Sequence, residues 1–217
     1  MRYTASSFWR ILRVAGALAA LVAWPGISQA QLGLPGLPPL PGGGGGGQAQ
    51  TLTGQASAVT AVVLGNVTSL ADTGTLSSAS DPLGAGLSIG SIPGLLAGEA
   101  LHAATMGWTD QVASQASAGN LAISVAGTGI SVLQVVSRAL AVSGAGATGG
   151  SSIEGLTIGG VPVTATGAPN QQISLPGLTV ILNEQIQSAS GIVVNALRIR
   201  TLDGLADVVI GSARAGI

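Results

Sequence analysis

Apolar and polar positions alternate along most of the chain, and glycine-rich breaks separate the alternating stretches. A period of two marks a half-buried strand, because successive side chains point to opposite faces. Residues 54–64 (GQASAVTAVVL) predict a first strand. Residues 111–126 (QVASQASAGNLAISVA) read as a hairpin about Gly119-Asn120, since a glycine-first pair suits a two-residue turn. That register sets Ala118 opposite Leu121 and Ala116 opposite Ile123. Residues 130–142 (ISVLQVVSRALAV) predict a long strand, with VLQVVSRAL also fitting a short helix. Residues 153–164 predict a hairpin about Gly159-Gly160, with Ile158 facing Val161 and Leu156 facing Val163. Residues 178–187 and 191–202 predict further strands. Residues 95–105 (LLAGEALHAAT) fit a strand or a helix, and Gly98 weakens the helix.

The C-terminal hairpin is the sharpest expectation. Asp203-Gly204 suits a type I′ turn, which needs positive φ at both central residues. Pairing outward sets Leu202 against Leu205, Thr201 against Ala206, and Arg200 against Asp207. Ile199, Val208, Leu197 and Ile210 then share the opposite, core-facing side. An opposite-charge cross-strand pair contributes roughly 0.2–1 kcal/mol, so Arg200 and Asp207 read as register-fixing residues. Many short strands between glycine-rich turns predict one all-β domain over 51–217, an antiparallel β-sandwich or jelly roll with at most one short helix. One echo stands out: Gln55-Ala56-Ser57-Ala58 recurs as Gln115-Ala116-Ser117-Ala118.

The first 50 residues follow other patterns. Arg2, Arg10 and Arg13 precede an apolar run at 14–24 (VAGALAALVAW), then Pro25-Gly26 and the small-x-small triplet Ser28-Gln29-Ala30. These are the three parts of a secretory signal, with cleavage expected between Ala30 and Gln31. The run is shorter than the ~20 residues that span a bilayer. No second run of that length follows, so no transmembrane segment is expected after cleavage. Residues 31–50 (QLGLPGLPPLPGGGGGGQAQ) combine a polyproline-like half with six consecutive glycines, and predict a disordered spacer.

Composition narrows the chemistry. Cysteine is absent and so is lysine. This excludes disulfides, thiol catalysis, Schiff bases and P-loop chemistry. Loss of the signal leaves four arginines against eight acids, a net charge of −4, and Trp108 as the only Phe, Tyr or Trp ring. Nucleic-acid binding needs a basic stripe and usually stacking rings, and the sequence offers neither.

Several stretches carry a resemblance. They are Gly155-Leu156-Thr157-Ile158, Val163, Thr166-Gly167-Ala168-Pro169-Asn170-Gln171, Leu175-Pro176, Leu182-Asn183-Glu184-Gln185, Val194-Asn195-Ala196-Leu197 and residues 206–213 (ADVVIGSA). Together they resemble the choice-of-anchor P family of bacterial exported proteins, mainly over residues 98–217. The resemblance implies export and a surface role, and it brings no catalytic residues. Members share an exported domain with varied C-terminal anchors, whereas this sequence stops at the domain.

Candidate chemistry is sparse. His102 is the only histidine, and no Gly-x-Ser-x-Gly elbow accompanies it. Glu99 would share a face with His102 on a helix and point away from it on a strand. No enzymatic activity and no cofactor are therefore expected. Calcium is the one metal left open, with Asp72 and Asp81 beside the 72–86 loop as first ligands. Trp108, in Met106-Gly107-Trp108-Thr109-Asp110, reads as a turn residue that either plugs one end of the core or contacts a sugar, lipid or protein. Asn183, Glu184 and Gln185 form a polar triplet in an apolar strand. They suit an edge or bulge whose amides bond to backbone, or a polar contact between subunits. Asn66-Val67-Thr68 matches an N-glycosylation sequon.

These readings converge on a non-enzymatic secreted or surface-associated structural protein, self-associating in an extracellular matrix or fibre with itself or another surface protein as partner. The alternative is an extracellular or periplasmic, adhesin-like binding module with a site near Trp108 or the 72–86 loop.

Overall fold

A computed structural model of the chain describes residues 51–76, 78–79 and 82–217. The expected secretory signal with its Ala30/Gln31 junction, the expected 31–50 spacer and Asp81 lie outside the described residues.

Among the described residues, thirteen strands form two antiparallel sheets packed face to face as a β-sandwich. In chain order they are β1 (Thr53–Val63), β2 (Asn66–Asp72), β3 (Leu83–Ile92), β4 (Leu96–Gly107), β5 (Gln111–Val125), β6 (Thr128–Val142), β7 (Gly146–Glu154), β8 (Thr157–Ile158), β9 (Val161–Pro162), β10 (Gln171–Leu175), β11 (Leu178–Ser188), β12 (Gly191–Thr201) and β13 (Ala206–Gly216). The first sheet runs β10-β11-β12-β13-β1-β2, so the first and last strands are neighbours. The second runs β3-β4-β5-β6-β8-β9, with β7 also paired to β6. Across the sandwich β1 lies over β4 and β5, β13 over β5 and β6, and β12 over β6 and β7. No helix occurs among the described residues, and both helix-compatible stretches are strand. The 72–86 loop is shorter than its sequence suggests, because β3 begins at Leu83.

The hairpin expected at Gly119-Asn120 does not form. β5 runs straight through these residues and pairs with β6 without a break in register, Gly119 with Gln134 and Leu121 with Val132. Asn120 adopts φ 46° inside the strand. The tolerance of positive φ that makes Gly-Asn a good turn here makes a kink instead. The kink reverses which side chains face inward. Val112, Ser114, Ala116 and Ala118 are buried before it, and Leu121, Ile123 and Val125 after it.

Every long strand of the core switches faces at this level. In β4 the buried apolar positions pass from Leu96 to Leu101 and Ala103, with Ala100 at φ 50° between them. In β6 they pass from Ile130 and Val132 to Val135 and Ala139. The first sheet has the same device. Ala71, Gly211 and Asn183 hold φ of 51°, 62° and 50° in β2, β13 and β11. They lie on one line, flanked by two continuous rows. One row is Leu70, Val59, Ile210, Leu197 and Leu182, and the other is Asp72, Ser57, Ser212, Asn195 and Glu184. A left-handed residue puts its two neighbours on opposite faces, so the first row enters the core and the second faces outward. The line thus divides the interior. One half is rich in Leu, Ile and Val, including Val59, Leu121, Leu182, Leu197 and Ile210. The other is rich in alanine, including Ala139, Ala141, Ala213 and Ala215. The sequence echo acquires a structural meaning here: Ala56 and Ala116 meet Ala103 in a buried cluster next to the line.

The C-terminal hairpin has the expected register, with Arg200 opposite Asp207, and Ile199, Val208, Leu197 and Ile210 fully buried. Its turn is not type I′. Gly204 has φ 74°, but Asp203 stays in the negative-φ region. The strands end at Thr201 and Ala206, leaving a four-residue loop. Gly204 N donates to Thr201 O at 3.1 Å, and Leu205 N donates to Asp203 Oδ1 at 2.9 Å. The side-chain acceptor of Asp203 does what a second left-handed residue would otherwise do. By contrast, Gly159 and Gly160 both have positive φ, and Ile158 pairs with Val161 as the sequence predicts.

Candidate functional site

The outward-facing row beside the kink line is the densest polar constellation among the described residues. Ser57, Asn195 and Glu184 are buried although they point away from the core. The polar side chains of this buried outward strip, the crease, pack on one another, as Asn195 and Arg198 do on Glu184.

Arg198 organises one end of this crease. Its Nε and Nη2 donate to Asp207 Oδ1 and Oδ2 at 2.9 and 2.7 Å. Its Nη1 donates to Glu184 Oε1 at 2.9 Å. Asn195 Nδ2 donates to Glu184 Oε2 at 2.6 Å. The hydrogen bond to Asp207, with the charges of Glu184 and Asp207, raises the Arg198 pKa above its ordinary value against the opposing effect of burial. Arg200 lies at the rim, its Nε 3.6 Å from Asp207 Oδ2, with half of its side chain exposed. The cluster ties β11, β12 and β13 together through one guanidinium. Both carboxylates are held by Arg198, an arrangement suited to holding strands together.

The sequence-predicted triplet is split by the line. Asn183 bonds outward to the neighbouring loop: its Nδ2 donates to Gly167 O at 2.8 Å, and Ser151 Oγ donates to its Oδ1 at 3.1 Å. Gln185 N donates to Asn170 Oδ1 at 2.9 Å, and Gln185 Nε2 to Asn183 Oδ1 at 3.1 Å. β10 pairs with β11 only as far as Leu182, so these bonds replace the missing ladder beyond it. Glu184 alone turns into the crease. Sequence reasoning missed Arg198 and Asn195. The signal for Arg198 was its alternation with Arg200, which puts both on the face of Asp207, one directly opposite and one diagonal. Asn195 Oδ1, and Ser137 Oγ on the core side of Gly211, are buried without a hydrogen-bond partner among the described residues.

A second feature lies on the outer face of β3 to β7. Here the surface forms an open trough of about 990 Å³. Met106 and Leu140 contribute its apolar sides, and Ala104, Ala113 and Gly150 part of its small-residue lining. Arg138 supplies its cation, with Nε donating to Gln115 Oε1 at 3.2 Å. Trp108 follows Met106 by two residues in the β4–β5 turn, where its N donates to Gln111 O at 2.7 Å. The residue is 40% exposed.

His102 lies exposed on the outer face of β4. The kink at Ala100 returns Glu99 to that same face, which plain alternation would not do. Glu99 accepts a hydrogen bond from Asn120 Nδ2 at 2.9 Å and forms no ion pair with His102 among the described residues. Asp72 accepts from Gly74 N at 2.7 Å and from Gln55 Nε2 at 3.2 Å. Among the described residues no group of three or more His, Asp or Glu side chains is placed to hold a metal ion.

The chain matches no protein-family model, no curated protein and no solved structure.

Proposed function

We propose that this chain is a non-enzymatic, exported or surface-associated structural protein that associates with further copies of itself. The single observation that carries the reading is the character of the sheet exteriors. β1, β3, β5, β8, β9 and β10 contain no ionisable side chain, while Leu64, Val67, Ile89, Leu133, Val161 and Leu202 are exposed. Charge is what normally keeps strand edges and sheet faces of soluble proteins apart, and little of it is present. The N-terminal signal pattern and the resemblance to the choice-of-anchor P family support the export part of the proposal. The test is light scattering of the exported chain over a concentration series, with and without calcium. Growth of mass with concentration is expected. A mass fixed at one chain overturns the reading.

A second reading is favoured by the trough, which lies beside the two regions the sequence singles out, the 72–86 loop and Trp108. In this reading the domain is a binding module for an extended, weakly charged ligand lying along β3 to β7. The expected result is saturable binding of such a ligand, abolished by filling the trough.

A further inference from the structure

We propose that the outer edge of β3 is the contact through which two copies of the chain pair, strand to strand and antiparallel. The inference rests on the self-association reading above and names its surface.

β3 pairs with β4 on one side only. Among the described residues no backbone hydrogen bond reaches its other side. An edge of ten residues therefore presents a row of unpaired donors and acceptors, which another strand can complete. The other edges are guarded. β2 is shorter and ends in Asp72. β10 is only five residues long, half the length of β3. β9 contains Pro162. β7 curls onto the first sheet, where a Cβ on Gly149 would strike Val194, and its Ser151 is bonded to Asn183. β3 (LGAGLSIGSI) has no charge, no proline and no bulge in its pairing with β4. Ile89 is 74% exposed on it, and Leu87 is exposed as well.

The occupant that fits best is a second β3. Two copies bring no like charges together at this edge, although the domain as a whole is acidic. An antiparallel pair of identical strands is also self-complementary about a two-fold axis, so the contact closes. The kink line fixes the register. In β3 the inward positions pass from Leu83 and Ala85 to Gly90 and Ile92, with the change between Leu87 and Gly90. Directly paired residues lie on the same face, and a slip of one residue reverses that match. The register that matches inward positions along the whole strand sets Leu87 against Gly90 of the second copy, and Ala85 against its Ile92. The two-fold axis then passes between Ser88 and Ile89.

The absence of cysteine makes the test clean. The full chain, exported and processed by its expression host, is prepared as Ser88→Cys, Ser91→Cys, Thr68→Cys (β2) and Ser174→Cys (β10). Each is treated with a short thiol–thiol crosslinker. Ser88 lies about 5–6 Å from its mate by strand spacing, and Ser91 roughly 17 Å from its own at ~3.4 Å per residue. Covalent dimer is expected for Ser88→Cys and not for the other three. Ile89→Lys is expected to weaken dimerisation at least tenfold, while Ile89→Thr, which keeps a β-branched side chain, retains most of it. Association that crosslinks through Thr68→Cys or Ser174→Cys and ignores Ile89→Lys overturns the β3 assignment and leaves self-association standing. A chain that stays monomeric at every concentration overturns both. A Ser88→Cys product with a mass other than two chains overturns the choice of a second copy as occupant.

Discussion

Arg198 holds Asp207 by two hydrogen bonds although its direct cross-strand partner is Val209, and Arg200, which does face Asp207, approaches it only to 3.6 Å. The diagonal arginine wins because it also reaches Glu184, so one planar donor satisfies two carboxylates. Removing one partner of such a partly buried group leaves the others uncompensated. Arg198→Ala is therefore expected to cost about 2–4 kcal/mol, and Arg200→Ala less than about 1 kcal/mol, as for exposed pairs. Urea unfolding midpoints of the two variants check the order. Equal losses would show that the rim pair matters as much as the buried one.

The kink line has its own energetic signature. Gly211 sits at φ 62°, and a Cβ there would lie 3.2 Å from Ala196 Cβ. Gly211→Ala is expected to destabilise by ~1–3 kcal/mol, from the left-handed backbone and the close contact together. Asn120, also left-handed, tolerates glycine, and Asn120→Gly is expected to lie within about 1 kcal/mol of the parent, the lost bond to Glu99 offsetting relief at the backbone. Thermal unfolding distinguishes them. A harmless Gly211→Ala would mean that the line yields easily.

Asp203 gives a pH dependence of definite sign. Hydrogen bonds from the Thr201 side chain and the Leu205 amide hold its carboxyl below the usual carboxylate range. A group with a depressed folded pKa contributes stability above its unfolded pKa and loses it as pH falls through the folded value. Asp203→Asn keeps the turn acceptor but cannot ionise. The parent is expected to be the more stable of the two at neutral pH, and the difference to vanish in acid below the carboxylate range. A gap between them that stays constant into strong acid would rule out the ionised turn as its source.

Trp108 offers an optical test of the trough. In a chain that starts at Gln31, the expected product of signal cleavage, it is the only tryptophan, so its emission reports on its surroundings alone. If the trough binds an extended ligand, titration with linear oligosaccharides or fatty acids shifts that emission saturably. Gly150→Arg, which places a long side chain among Ala104, Ala113 and Arg138, is expected to weaken the response at least tenfold, or about 1.4 kcal/mol. Unaltered titrations in the variant would remove the trough as the site.

Local pattern made most of the long strands and two hairpin registers readable in the sequence, while β2, β3, β7 and β10 carried no strand prediction and the start of β3 read as part of the 72–86 loop. Arg200 against Asp207 and Ile158 against Val161 follow from alternation counted outward from a turn. Gly119-Asn120 did not yield to the same method, because one backbone preference serves both a reversal and a kink. The choice is made by partners far away in sequence, here Glu99 in β4 and Gln134 in β6. The clue that does exist is a gap of three, as from Val132 to Val135, where strict alternation expects two. The candidate site was half legible for a related reason. Glu184 stood out as a polar residue in an apolar strand, but its burial depends on the crease, and the crease depends on the line.

That line also sets how the chain tolerates changes in length. In an ordinary strand, losing one residue shifts everything beyond it to the wrong face. Losing Asn120 from β5 would instead restore strict alternation, keeping Leu121, Ile123 and Val125 on the inner parity but sliding them one residue out of register with β6. The same deletion in the turn at Gly127 would leave both halves facing as they do now. The few left-handed positions thus act as a counting mark, at which the spacing of the chain is fixed to the single residue, while the loops at either end remain free to vary.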